Sequence, residues 1–162
     1  MTIQVDDRKQ GNKAKIVEIA MSFPMDDVLK KYCMEHSLPI ETACKHEREL
    51  KRFLALSVIN YSTKYVMSGP MDELWHSFIL FTKKYHEFCY LVAGHYIHHA
   101  PSVPNEESTD FRGYIQLLQD YKVLFGEEPP PQYWPRPQKE SAENSVFHNT
   151  YSCSPHCVVA IA

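Results

Sequence analysis

The run Pro70-Met71-Asp72-Glu73-Leu74-Trp75-His76-Ser77-Phe78-Ile79-Leu80-Phe81-Thr82-Lys83-Lys84-Tyr85-His86-Glu87-Phe88-Cys89-Tyr90-Leu91-Val92-Ala93-Gly94 reads as helix from end to end. Pro70 suits a first helical turn, where its missing amide has no partner to lose. No proline or glycine interrupts the run before Gly94, a natural C-terminal stop. At about 100° per residue, Trp75, Phe78, Ile79, Thr82, Tyr85 and Cys89 fall on one apolar stripe. The spacing therefore predicts a single helix over 70–93.

The same period extends upstream. Ile40, Ala43, Cys44, Leu50, Phe53, Leu54 and Val58 mark a long helix over about 40–61, separated by Ser37-Leu38-Pro39 from a shorter one that starts near Pro24 and ends near His36. Residues 13–23 carry Ile16, Val17, Ile19 and Ala20 and are open between a short helix and an extended lead-in. Downstream, residues 94–108 read as a connection. Phe111, Tyr114, Ile115, Leu118, Tyr121 and Leu124 then mark a helix that stops at Gly126. Glu127-Glu128-Pro129-Pro130-Pro131 is extended, and Tyr133 and Trp134 are placed to fold back as an anchor. The expected fold is all-α: an irregular bundle of four to five helices with an extended Pro-rich segment and a flexible tail. The expected division is a disordered 1–12, a helical domain over 13–135 and a tail over 136–162.

Composition agrees with one globular domain. The chain has 162 residues, 44% of them hydrophobic, and a net charge of −3. That balance gives no electrostatic reason to expect nucleic acid or an anionic membrane as partner. The basic residues Lys45, Arg48, Lys51 and Arg52 are interrupted by Glu47 and Glu49 and read as a solvated helix face. No signal-peptide core and no stretch of about 20 apolar residues is present, so the expected location is the cytoplasm. Five cysteines without an export signal argue against a disulfide scaffold. Cys33, Cys44 and Cys89 read as small buried hydrophobes.

Chemistry concentrates in the histidines. Five of the nine lie between positions 76 and 99: His76, His86, His95, His98 and His99. Asp72 and His76 are four apart and stack on one helix face, at the flank of the apolar stripe. Such a pair either starts a metal site or forms a hydrogen bond that orients the ring. The His98-His99 turn could return one imidazole to the pair. Adjacent residues point apart, so only one of the two is expected to join. His86 falls inside the stripe and reads as a core histidine bonded to a carbonyl. His95, His36 and His46 read as surface residues. A weaker constellation, Cys153, His156 and Cys157, has ligand types for Cu(I) or Zn²⁺.

The block from Met71 to Thr82, with Tyr85, Phe88-Cys89, Gly94 and His98-His99-Ala100-Pro101, resembles the bacterial glycine-rich domain-containing protein-like family. The resemblance takes in Glu49-Leu50-Lys51-Arg52-Phe53-Leu54 and Phe125-Gly126-Glu127-Glu128-Pro129-Pro130 and covers about 25–135. It implies a small helical domain and highlights Glu49, Asp72, Trp75, His76, Tyr85, Cys89, Gly94, His98 and His99. Many plant and fungal relatives carry Trp-His-x-His, whereas this chain has Phe78 at the second histidine position. The glycine-rich segment is absent, since the chain has five glycines in all.

Two main functional expectations follow. One is a metal-binding protein, with or without catalysis, in which Asp72, His76 and His98 or His99 bind Zn²⁺ or Fe²⁺ and Glu49 is a fourth ligand or a nearby base. The other is a non-enzymatic module that binds a protein partner through the Pro-rich segment 129–137 or the tail. A third is a substrate or accessory role in a peptide-modification pathway acting on the Cys-containing tail. No nucleotide cofactor is expected, because the sequence has no phosphate loop, dinucleotide fingerprint, nucleophile elbow or H-E-x-x-H.

Overall fold

The computed structural model describes residues 3–67, 69–100, 111–136 and 157–161, with side chains over 11–67, 69–99 and 112–136. In chain order the elements are α1 (Ile3–Ser22), α2 (Asp26–His36), α3 (Ile40–Ile59), β1 (Val66–Met67), α4 (Pro70–Leu80), α5 (Thr82–Ala93), β2 (Ile97–Ala100), α6 (Phe111–Phe125) and β3 (Cys157–Ile161). The fold is an irregular all-α bundle, as the helical periodicity predicts, with a small sheet at one side.

α3 is the central element. From Glu49 to Ser57 every residue except Arg52 is buried, the pattern of a helix enclosed on all sides. α1, α2, α4, α5 and α6 all pack on it. The core it organises includes Phe23, Tyr32, Phe53, Trp75, Phe78, Tyr85, Phe88 and Trp134. α2 ends at Ser37, whose φ of 52° turns the chain left-handed, and the Leu38 amide bonds the Cys33 carbonyl at 3.1 Å.

The basic run is not a uniform solvated face. Lys45 and Arg48 are exposed, but Lys51 is buried. Its ammonium donates to the carbonyls of Phe23 at 2.6 Å and Met21 at 3.4 Å and to Glu47 at 2.6 Å. It therefore satisfies orphan carbonyls at the end of α1, where a cation also meets the negative end of the dipole. Arg52 lies over the rings of Tyr121 and Phe125 and pairs with Glu127.

The run 70–93 is two helices, not one. The backbone breaks at Phe81 (ψ 60°), whose amide bonds the Phe78 carbonyl in a tight turn. Neither Pro nor Gly marks the break, so local sequence carries no signal of it. Its effect is to let α4 pack on α3 and α2 while α5 packs on α1. Trp75, Phe78, Tyr85 and Cys89 of the expected stripe are buried, whereas Ile79 is half-buried and Thr82 exposed.

Two other expectations need correction. Residues 3–12, expected to be disordered, belong to α1. The connection after Gly94 and the end of the tail are not structureless, because 97–100 and 157–161 form β2 and β3. The sheet has the order β1-β3-β2, with both pairings antiparallel. Strand formation is reasonable for Val158-Val159-Ala160-Ile161, which is apolar and mostly β-branched.

α6 presses closely on the segment leading into β1. A Cβ placed on Gly113 would stand 2.4 Å from the Lys64 carbonyl oxygen, so glycine is what permits the crossing. Beyond α6, Gly126 takes φ 70° and the prolines carry the chain back to the core. Trp134 stacks on Phe53 with ring centroids 6.0 Å apart, and Pro129 is buried. Tyr133 and Trp134 thus form the expected anchor, and the Pro-rich segment is partly committed to holding it.

Candidate metal centre

Gly69, Pro70 and the amide of Asp72 build the start of α4. Gly69 turns the chain at φ 80°, Pro70 enters the first turn, and the Asp72 amide bonds the Gly69 carbonyl at 3.0 Å. Asp72 is therefore a first-turn carboxylate, favoured by the helix dipole even though it is buried. One turn later His76 stands beside it, with Nδ1 3.9 Å from Oδ2. The His76 side chain is 50% exposed, so this side of the cluster opens to solvent.

The third member comes from β2. Strand alternation places Ile97 and His99 on one face and His98 on the other. Ile97 is fully buried, His98 is exposed beside Tyr96, and His99 turns inward with a side chain 6% exposed. His99 Nε2 stands 3.0 Å from Asp72 Oδ1. A carboxylate only accepts, so this bond places the proton on Nε2. Trp75 presents its ring to His99 at 4.4 Å, and the His76 and His99 rings are 4.5 Å apart.

A buried relay fixes the start of β2. Trp75 Nε1 donates to Tyr85 Oη at 3.0 Å, and Tyr85 Oη donates to the Ile97 carbonyl at 2.6 Å. The helix that carries Asp72 and His76 and the strand that carries His99 are thereby tied through Trp75 and Tyr85. The Cys89 thiol lies in the same buried region, and burial pushes it above the ordinary thiol range, as fits an inert core cysteine.

Asp72, His76 and His99 offer donor atoms that all lie within 4.8 Å of one another. Two donors on a tetrahedral zinc ion, each about 2.0–2.2 Å from it, stand about 3.4 Å apart. The Asp72–His99 and Asp72–His76 separations fall on either side of that value. Two imidazoles and a carboxylate suit Zn²⁺, or Fe²⁺ in a facial arrangement with open positions.

Other sequence candidates lie elsewhere. Glu49, expected as a ligand or base, is not in this group. Its Oε2 accepts from Tyr121 Oη at 2.9 Å and Trp134 Nε1 at 2.8 Å, and Arg48 Nε donates to Oε1 at 3.2 Å. It is a buried hub that holds α6 and the Trp134 anchor on α3. His86, expected in the core, is exposed beside Tyr90, because the break at Phe81 rotates α5 relative to α4. His95, expected to be exposed, is half-buried, and its Nε2 has no hydrogen-bond partner among the described residues. Cys33 is half-buried and Cys44 exposed, so the buried reading holds fully for Cys89 alone. Cys153 and His156 lie outside the described residues, and of Cys157 only the backbone is described, in β3.

Sequence reading missed the opposite flank of α4. His46, expected at the surface, is buried, with Nδ1 3.0 Å from Tyr32 Oη. His36 Nδ1 is 3.0 Å from Glu73 Oε2. Burial lowers the His46 pKa, against an opposing pull from Glu73. The signal was present: Ala43, His46 and Leu50 share the 3,4 spacing of the α3 stripe.

No curated protein and no solved structure matches this chain. A family model described as UCP032817-like matches residues 14–117. That span is well over half the chain and contains Asp72, His76 and His99, together with the Trp75 and Tyr85 side chains that align them. The chain therefore belongs to the UCP032817-like family.

Proposed function

We propose that this protein binds a divalent transition metal, Zn²⁺ or Fe²⁺, through Asp72, His76 and His99. The observation that carries the reading is the convergence of those three donor sets from two separate elements at one half-open point. A metal on His99 Nε2 would take the place of the proton shared with Asp72, with the ring proton carried on Nδ1 instead. Trp75 and Tyr85 hold the two ligand-bearing elements in place, as outer partners commonly do around metals. His76 supplies the solvent-facing ligand, and a substrate or a water would complete the coordination on that side. With such open positions the metal would act as a Lewis acid or activate a bound water.

Metal content of protein purified without a histidine tag tests the proposal. About one equivalent in the parent, and loss in His76→Ala, is expected for a three-ligand site. Metal far below one equivalent, unchanged by His76→Ala, rejects it.

A second reading has one observation in its favour. The Asp72–His99 bond is buried and complete without a metal, as a purely structural pair in an interaction module would be. Thermal unfolding separates the two. Added Zn²⁺ raises the melting temperature by mass action if the site is specific and leaves it unchanged if the pair is structural.

A further inference from the structure

The candidate site is divided between two parts of the chain that do not pair directly. Asp72 and His76 belong to α4, which begins three residues after β1. His99 belongs to β2. Between β1 and β2 runs β3, and the two outer strands have no ladder with each other. Strands in a sheet stand about 4.8 Å apart, so β1 and β2 are held about 10 Å apart by the strand between them.

Val158 is where the halves meet. It is opposite Val66 on one side and Ala100 on the other. Next to it, Val159 is opposite His99 and Ala160 is opposite His98. The start of β2 is fixed without β3, because Ile97 is buried and its carbonyl accepts from Tyr85. Beyond Ile97, the strand partner of residues 98–100 among the described residues is β3 alone. The backbone that carries His99 thus owes its register to a segment more than thirty residues beyond the end of α6.

We propose that β3 is a detachable clamp whose docking between β1 and β2 assembles the Asp72–His76–His99 site, so that this segment of the chain sets the affinity for metal. The proposal rests on the metal reading above. With β3 in place, β2 and the strand that leads into α4 belong to one sheet, and His99 is held against Asp72. With β3 withdrawn, residues 98–100 present unpaired backbone groups and His99 loses its fixed position. The clamp is a five-residue strand held between two short strands, a unit small enough to open by itself. Its natural competitor is another extended apolar segment that adds to the same slot by strand pairing, including the same segment of a second copy of this chain.

The test uses two full-length variants, Val159→Pro and Ala160→Pro. Amides of successive strand residues point to opposite sides, so one variant deletes a ladder bond to β2. The other removes an amide that faces past the end of the two-residue β1. Zinc affinity by chelator competition is read together with hydrogen exchange at residues 97–100 and with helical circular dichroism. At least one variant is expected to keep its helical signal, to lose protection at 98–100 and to bind zinc about tenfold or more weakly, the loss typical of a removed outer partner. Parent-like zinc binding in both variants, with a parent that does bind zinc, overturns the clamp and leaves the metal reading standing. A parent that binds no zinc overturns both.

Discussion

Trp134 donates its indole N–H to Glu49 Oε2 at 2.8 Å across 85 residues of chain. The same indole lies flat against Phe53, one turn along α3 from Glu49. One side chain therefore closes the core over α3 and, with Tyr121 and Arg48, satisfies a fully buried carboxylate. Trp134→Phe keeps much of the ring and deletes the donor, with an expected loss of about 1–3 kcal/mol. Trp134→Ala also opens a cavity and is expected to lose about 3–5 kcal/mol. Urea unfolding of the two variants beside the parent measures both losses. Equal stability of Trp134→Phe and parent would show that the Glu49 bond contributes nothing net.

Gly113 gives a prediction of opposite sign to ordinary helix propensity. At an exposed helical position Gly→Ala stabilises by about 1 kcal/mol. Here the new methyl meets the Lys64 carbonyl oxygen at 2.4 Å, and backbone cannot swing aside as a side chain can. Gly113→Ala is expected to destabilise by about 1–3 kcal/mol, the usual range for overpacking. A rise in the thermal midpoint would mean that α6 does not cross the 64–66 segment this closely.

The three proposed ligands differ in what they do for the fold. His76 is half exposed, whereas the Asp72 and His99 side chains are 5–6% exposed and bond each other. His76→Ala is expected to abolish metal binding with less than about 0.5 kcal/mol change in metal-free stability, the usual range for a surface substitution. Asp72→Ala or His99→Ala removes a buried partner and is expected to lose about 1–3 kcal/mol as well. Chelator should lower the melting temperature of the metal-loaded parent and leave that of His76→Ala unchanged. A chelator shift that persists in His76→Ala would place the metal elsewhere.

His46 sets a pH dependence on the acid side. Burial lowers its folded pKa below the ordinary 6.5, with His36 adding to the effect and Glu73 opposing it. The unfolded chain then binds a proton near pH 6.5 that the folded chain refuses until lower pH. Stability is full above pH 6.5 and falls as pH drops through the window between the unfolded and folded values, then levels off. His46→Gln, which cannot titrate there, should flatten the fall in urea midpoint between pH 7.5 and pH 5. An unchanged slope would assign the loss to other groups.

Much of the helical frame was legible in one dimension because its signals are local. The 3,4 spacing in α3, the Gly94 and Gly126 stops and the Pro-rich return with its Tyr133-Trp134 anchor all appear where the residues indicated. The pairing of Asp72 with His76 was legible too, since i and i+4 share a helix face whatever the surroundings. The break at Phe81 was not legible, as neither Pro nor Gly marks it, and it lets α4 and α5 pack on different neighbours. Its consequence reached His86, which the unbroken stripe put in the core and the two-helix arrangement leaves exposed.

Glu49 and His46 show the same limit from the other direction. The family resemblance put Glu49 forward as a ligand or base, but its partners Tyr121 and Trp134 come from 72 and 85 residues away. His46 sat at core spacing, yet its burial depends on Tyr32 and Tyr133 closing over it.

Sequence alone determined the all-α class, the order of the main helices and the helix that carries Asp72 and His76, because side-chain period and turn chemistry act within a few residues. Only tertiary structure decided that His99 and not His98 meets that pair. That choice depends on residues 97–100 being a strand, and strand alternation sends one ring inward and the next outward. The strand in turn exists through pairing with β3, a partner more than fifty residues away that no local pattern in 94–108 announces.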